Sequence, residues 1–133
     1  MGKSTVCKGV RIRIPDRTGV LGEILSPLAE AKVNIEAFHG YAAGNEANLF
    51  LVPDEPDYSK MLTTLRKNNV SYDEMSLVGV ELDNKPGQAA WATSTLSNAG
   101  INIEECFSST YTNARTRAFF STDQNEKAVK ILG

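Results

Sequence analysis

The stretch Asp16 to Glu36, DRTGVLGEILSPLAEAKVNIE, returns 68 positions further on as NKPGQAAWATSTLSNAGINIE over residues 84–104. The offset superimposes Gly19 on Gly87, Ser26 on Ser94, Leu28 on Leu96, Ala31 on Ala99 and Asn34-Ile35-Glu36 on Asn102-Ile103-Glu104, and upstream it sets Val10 on Val78. Conservative pairs fill the gaps: Asp16 with Asn84, Arg17 with Lys85, Val33 with Ile101. Self-similarity at one fixed period marks a duplicated structural unit, so the chain reads as two copies of one module.

Ahead of the quoted stretch, Val10, Ile12 and Ile14 alternate with Arg11 and Arg13, the two-residue period of a strand with one buried face. Past the corner at Asp16 to Gly19, the residues Val20, Leu21, Ile24, Leu25, Leu28 and Ala31 recur at helical spacing and predict one apolar stripe facing a sheet. Ile35 to Phe38 reads as a second strand, Gly40 to Asn45 as a hairpin connection and Ala47 to Val52 as a third strand. Pro53 and Pro56 break the pattern; Met61, Leu62 and Leu65 predict a helix over about 57–68 that stops at Asn68-Asn69, with Val70 to Met75 as a fourth strand. The second copy gives strands at Val78 to Leu82, Asn102 to Ser109 and Arg115 to Phe120, with helices over about 87–99 and from Asn125 to Leu132.

The fold class is therefore α+β: two ferredoxin-like βαββαβ units, over residues 6–75 and 76–133, each an antiparallel sheet with its helices on one face. The second unit lacks its last strand in sequence. Its sheet is then either one strand short or completed by another chain, and an unpaired edge favours association, so a homodimer is the expectation.

Composition excludes classes without naming a function. Against 14 Lys and Arg stand 16 Asp and Glu, a formal charge of −2, so no overall field draws in nucleic acid or an anionic membrane. No apolar run reaches the ~18 residues of a spanning helix, and MGKSTVCKGV lacks the apolar segment of a secretory signal. The expectation is a cytoplasmic protein with no membrane partner. Cys7 and Cys106 have no second Cys or His at ligand spacing, which predicts reduced, mostly packed thiols and no metal.

Catalytic constellations are also missing from the sequence. His39 is the only histidine, and its counterpart in the second copy is Phe107, which favours a packing or rim role over general-base chemistry. Glu104 and Glu105 are neighbours on a strand and point to opposite faces, while Asp54 and Glu55 lie in a proline-flanked loop. The run GYAAGNE lacks the Lys-Ser or Lys-Thr of a phosphate loop, and the third strands ANLFLV and RTRAFF lack the aromatic run of an RNA-binding sheet. No enzyme activity and no cofactor are expected.

What remains is the corner, present twice as Asp16-Arg17-Thr18-Gly19 and Asn84-Lys85-Pro86-Gly87. Where a strand end meets a helix start, free N–H groups and the helix dipole favour a carboxylate. Asp16 or Asn84 can accept from an ammonium or cap the helix, and Gly lets a ligand approach the backbone. Such a corner offers both poles of an α-amino acid.

The quoted stretches resemble the ACT domain family, in which a strand leads into Asp/Asn-x-Pro/Thr-Gly-x-Leu, then a helix, then Asn-Ile. The two copies cover nearly the whole chain, as in free-standing tandem ACT proteins. The resemblance implies a non-catalytic, allosteric sensing module that binds an amino acid where two units pack and regulates amino-acid metabolism, with a metabolic enzyme or regulator as partner. The alternative is a regulatory or scaffolding subunit that acts without ligand. Carried onto this chain, the implied ligand residues are Asp16, Arg17, Thr18, Gly19, Val20, Leu21, Asn34 and Ile35, and Asn84, Lys85, Pro86, Gly87, Gln88, Ala89, Asn102 and Ile103. Thr18 stands where the family usually has Pro, and Gln88 and Ala89 replace the bulkier Val20 and Leu21, so the two corners are expected to be unequal.

Overall fold

The computed structural model describes residues 3–110 and 115–133. In order along the chain come β1 (Lys3–Pro15), α1 (Val20–Glu30), β2 (Ile35–Ala43), β3 (Glu46–Pro53), a 3-10 turn (Glu55–Asp57), α2 (Tyr58–Lys67), β4 (Asp73–Asp83), α3 (Gln88–Asn98), β5 (Ile103–Thr110), β6 (Arg115–Thr122) and α4 (Asn125–Leu132). The chain divides into two compact units, Lys8–Met75 and a second made of Ser76–Gly133 with the start of the chain through Cys7. Both β1 and β4 cross that division.

In the first unit the strands lie in the order β2-β3-β1, with the start of β4 next to β1. β1 pairs antiparallel with β3, setting Val10 opposite Leu51, Ile12 opposite Leu49 and Ile14 opposite Ala47. These residues form one core with Val20, Ile24 and Leu28 of α1 and Met61, Leu62 and Leu65 of α2. Arg11 on β1 reaches Asp73 on β4 at 3.0 Å. The helical stripe is narrower than its spacing predicts: Val20, Ile24 and Leu28 are buried, but Leu21 is 41% exposed.

In the second unit the order is β4-β6-β5, with the first residues of β1 next to β4. Val78, Val80 and Leu82 of β4 join Ala118 and Phe120 of β6, Ala92 and Leu96 of α3 and Ala128 and Leu132 of α4 in its core. Left-handed backbone at Lys32 (φ 61°) and Gly100 (φ 74°), 68 positions apart, shows the repeat persisting in the turns that follow α1 and α3.

Two strand boundaries change. Gly40 to Ala43 is strand rather than hairpin connection, because Gly40 pairs with Leu49 and Ala43 with Glu46, leaving the turn to Gly44-Asn45. The fourth strand foreseen from Val70 starts only at Asp73 and runs on without a break to Asp83, so one strand serves as the last of the first unit and the first of the second. Among the described residues the second unit has no strand after α4, as expected, but the start of the chain joins it. Lys3 to Cys7 belongs to it: the Ser4 amide donates to the Gly133 carbonyl at 3.2 Å, and its hydroxyl donates to the Val129 carbonyl at 2.9 Å. Cys7 lies over Gly79, where a Cβ would stand 2.8 Å from the Cys7 sulfur. Both cysteines are free, but Cys106 is exposed rather than packed.

Candidate functional site

The corner of the first unit is built by backbone geometry. Gly19 takes φ 87°, a left-handed conformation that costs any residue with a Cβ, and Gly87 in the second unit takes φ 90°. The hydrogen bonds of the two corners repeat: Val20 N–H to Arg17 C=O (3.3 Å) and Glu23 N–H to Gly19 C=O (3.1 Å) are matched by Gln88 to Lys85 (3.5 Å) and Trp91 to Gly87 (2.9 Å). The cap position of α1 is Gly19, and among the described residues neither Asp16 nor Thr18 makes a side-chain hydrogen bond to the helix, so the cap expected from them is not made. Glycine at the cap position carries the turn instead, which leaves the amides of Leu21 and Gly22 in the first turn of α1 without intrahelical partners.

β1 and β2 both pair antiparallel with β3, so they run parallel and end on the same side of the sheet. The corner after β1 therefore meets the end of β2, and the Asp16 amide donates to the Asn45 carbonyl in the β2–β3 turn at 3.0 Å. Between them opens a cavity of about 380 Å³, lined by Asp16, Arg17, Gly19, Val20, Leu21, Gly22, Gly40, Tyr41, Ala42, Ala47 and Asn48. That volume falls within the range of small-molecule pockets. Its walls are largely apolar, with Leu21 and the 48% exposed Tyr41 on the rim.

Two charges mark the site. Asp16 is exposed and its carboxylate makes no hydrogen bond or ion pair among the described residues, so it is free to accept from a ligand. Arg17 forms a two-pronged bond to Glu23 of α1, at 2.5 and 2.8 Å, which holds the Glu23 carboxyl below the usual carboxylate range and raises the guanidinium.

Five of the first corner's expected residues thus come together: Asp16, Arg17, Gly19, Val20 and Leu21. Thr18 does not line the cavity. Asn34 and Ile35 lie at the opposite end of β2, where Ile35 pairs with Pro53. A nine-residue strand spans about 25 Å at its usual rise, so within this unit they cannot share a ligand with Asp16. Instead, Asn34 ties down the turn before α2: its N–H donates to Asp57 at 2.9 Å and its side chain to Asp54 at 2.8 Å. Asn102 repeats this with its N–H on Asp123 at 3.0 Å, and Ile35 and Ile103 pack against the two cores.

At the second corner Asn84, Lys85, Pro86, Gly87 and Ala89 are exposed and Gln88 is half-buried. Lys85 approaches Asp83 at 3.8 Å, and Asp83 also takes Arg115 at 2.9 Å. The local field differs from the first corner because neutral Asn84 stands in place of Asp16.

Sequence reading missed Gly40, Tyr41, Ala42, Ala47 and Asn48. The signal available was topological: a second strand parallel to the first must finish beside the corner. His39 lies over Phe50, ring centroids 5.8 Å apart, and near Tyr41 at 5.7 Å, the packing role its Phe107 counterpart suggests.

The Asn34 contact carries a pH prediction. The Asn34 N–H, with help from Lys60 at 3.5 Å, holds the Asp57 carboxyl below its ordinary value. The folded form thus binds this proton less readily than the unfolded chain, so the contribution is complete above the ordinary carboxylate range and fades as pH falls through the lowered value. Asp57→Asn should flatten the acid limb of a stability-versus-pH curve measured by urea unfolding, with little change in its slope near neutrality.

The sequence pattern of the ACT domain matches residues 9–69. No curated protein matches the sequence. Among solved structures, protein BT0572 from Bacteroides thetaiotaomicron superimposes with a TM-score of 0.86 at 24% identity, covering 98% of this chain and 88% of that one. The regulatory subunit of aspartate kinase from Thermus thermophilus, in its ligand-free form, gives 0.70 at 15% identity, covering 99% and 95%, and the regulatory subunit of aspartate kinase from Thermus flavus 0.68 at 14%, covering 98% and 94%. These likenesses are of fold. Among the described residues no helix is long and apolar enough to cross a membrane. The chain carries an ACT domain at residues 9–69, and its second unit repeats the α+β pattern of the first.

Proposed function

We propose that this protein is a non-catalytic sensor that binds an amino acid at the corner of its first unit and thereby regulates a partner in amino-acid metabolism. The observation that carries the reading is the cavity where an unpaired Asp16 carboxylate faces the uncapped first turn of α1. The first-turn amides of Leu21 and Gly22 receive the ligand carboxylate with support from the helix dipole, Asp16 receives the ammonium, and the side chain lies toward Leu21 and Tyr41. The ACT domain and the likeness to two aspartate kinase regulatory subunits support a partner enzyme, and a homodimer acting in the cytoplasm fits the same role. Ligand binding shifts a packing equilibrium by its differential affinity for the two states, and the partner reads the shift.

The test is a thermal-shift and calorimetric screen of the twenty amino acids against the wild type, Asp16→Ala and Asn84→Ala. At a ligand concentration one hundred times Kd, binding stabilises by about 2.7 kcal/mol. The wild type and Asn84→Ala should show such a shift with the same ligand, and Asp16→Ala should lose most of it. If no amino acid shifts the wild type, the sensing role is wrong.

A ligand-independent docking subunit is the second reading. It is favoured by Phe38, 62% exposed on β2, the outer strand of the first unit's sheet. Capture of one metabolic enzyme with equal efficiency in the presence and absence of every amino acid would select it.

A further inference from the structure

We propose that Glu23 determines specificity at the first corner: by holding Arg17 it bars amino acids with an acidic side chain and leaves the site to those with a neutral one. The inference rests on the reading that this corner takes an amino acid.

An acidic amino acid brings one ammonium and two carboxylates. Asp16 and the first-turn amides satisfy the α-ammonium and the α-carboxylate, so the second carboxylate needs a cation. Arg17 is the one cationic side chain among the residues lining the cavity, and its guanidinium fork is already filled by both oxygens of Glu23. Glu23 also stands close over the corner, since a Cβ added at Gly19 would lie 4.0 Å from its Oε2. An incoming second carboxylate therefore meets the charge of Asp16 in the cavity wall and a guanidinium already engaged by Glu23. A neutral side chain needs no such partner and finds Val20, Leu21, Tyr41, Ala42 and Ala47.

The pair is particular to this corner. At the corresponding positions of the second unit stand Lys85 and Trp91, so the duplicated frame forms without a carboxylate there. Glu23 is a carboxylate at neutral pH, and the Arg17 guanidinium lowers its carboxyl further. Both side chains are more than half exposed, at 54% and 57%, so the ion pair contributes little to stability and its removal leaves the fold intact.

Calorimetry with each of the twenty amino acids on the wild type, Glu23→Gln and the double variant Arg17→Gln/Glu23→Gln tests the proposal, with melting curves confirming that all three fold. The wild type should bind a neutral amino acid and hold aspartate and glutamate at least tenfold more weakly. Glu23→Gln should tighten aspartate or glutamate about fivefold, the most an exposed ion pair commonly withholds, and change the neutral ligand less than twofold. The double variant should lose that gain. An acidic ligand held by the wild type as tightly as a neutral one, an unchanged acidic-to-neutral ratio in Glu23→Gln, or a gain that survives loss of Arg17 each overturns the role of Glu23 while the sensing role stands. No binding of any amino acid to any of the three proteins overturns the sensing role and this inference together.

Discussion

Phe120→Ala is expected to cost the second unit about 3–5 kcal/mol. Phe120 is 3% exposed, sits on β6 opposite Val78 of β4, and packs in the core between that sheet and helices α3 and α4. Its neighbours there include the small Ala92, Ala118 and Ala128, whose side chains cannot extend to refill the space of a lost ring. The penalty therefore combines the transfer of the ring to water with a cavity that relaxes only partly. Urea unfolding followed by Trp91 fluorescence measures it, because Trp91 packs against the same core. A loss below about 0.5 kcal/mol, the size of an ordinary surface change, would contradict this packing.

The second large effect comes from placing one methyl group at two glycines of the first unit. Gly9 on β1 is buried, and a Cβ there would stand 2.6 Å from the backbone oxygen of Leu51 and 3.4 Å from Val52. Neither neighbour is the far end of a flexible side chain, so β1 and β3 must separate, and Gly9→Ala should destabilise by about 1–3 kcal/mol. Gly22 lies inside α1, and an added Cβ would meet nothing within 4 Å, so Gly22→Ala should stabilise by roughly 0.5–1 kcal/mol through helix propensity. Thermal melts of the two variants should move in opposite directions. A Gly9→Ala variant as stable as the wild type would mean that β1 does not approach β3 as described.

The repeat made most of the architecture legible in the sequence. Helix α4 runs from Asn125 to Leu132 as its apolar spacing predicts, and α1 and α3 fall within a residue or two of their expected ends. What escaped were features set by pairing rather than by local pattern. Gly40 suggests a turn, yet pairing with Leu49 on β3 keeps it in a strand. Lys3 to Cys7 carries little apolar alternation because most of its side chains are exposed; backbone pairing and the Ser4 contacts to α4 place it. Period two cannot report a strand whose side chains face no core.

The candidate site was half legible for the same reason. Asp16, Arg17 and Gly19 stand out by motif, and the left-handed φ of Gly19 explains why glycine is there. Tyr41, Ala42 and Asn48 enter only once β2 is known to run parallel to β1 and to continue to Ala43. Asn34 stands out in the repeat as strongly as Gly19 does, yet its bonds to Asp54 and Asp57 show a residue engaged in fastening a turn. A repeated motif preserves structural fasteners and ligand contacts alike, and only geometry separates them.

Crystallography of the protein grown with the amino acid that stabilises it best decides whether the first corner is a sensing site. A sensor should show one ligand molecule at the first corner, its ammonium within hydrogen-bonding distance of Asp16 and its carboxylate on the Leu21 and Gly22 amides. A stoichiometrically bound amino acid found elsewhere, with the first corner occupied only by solvent, would contradict it.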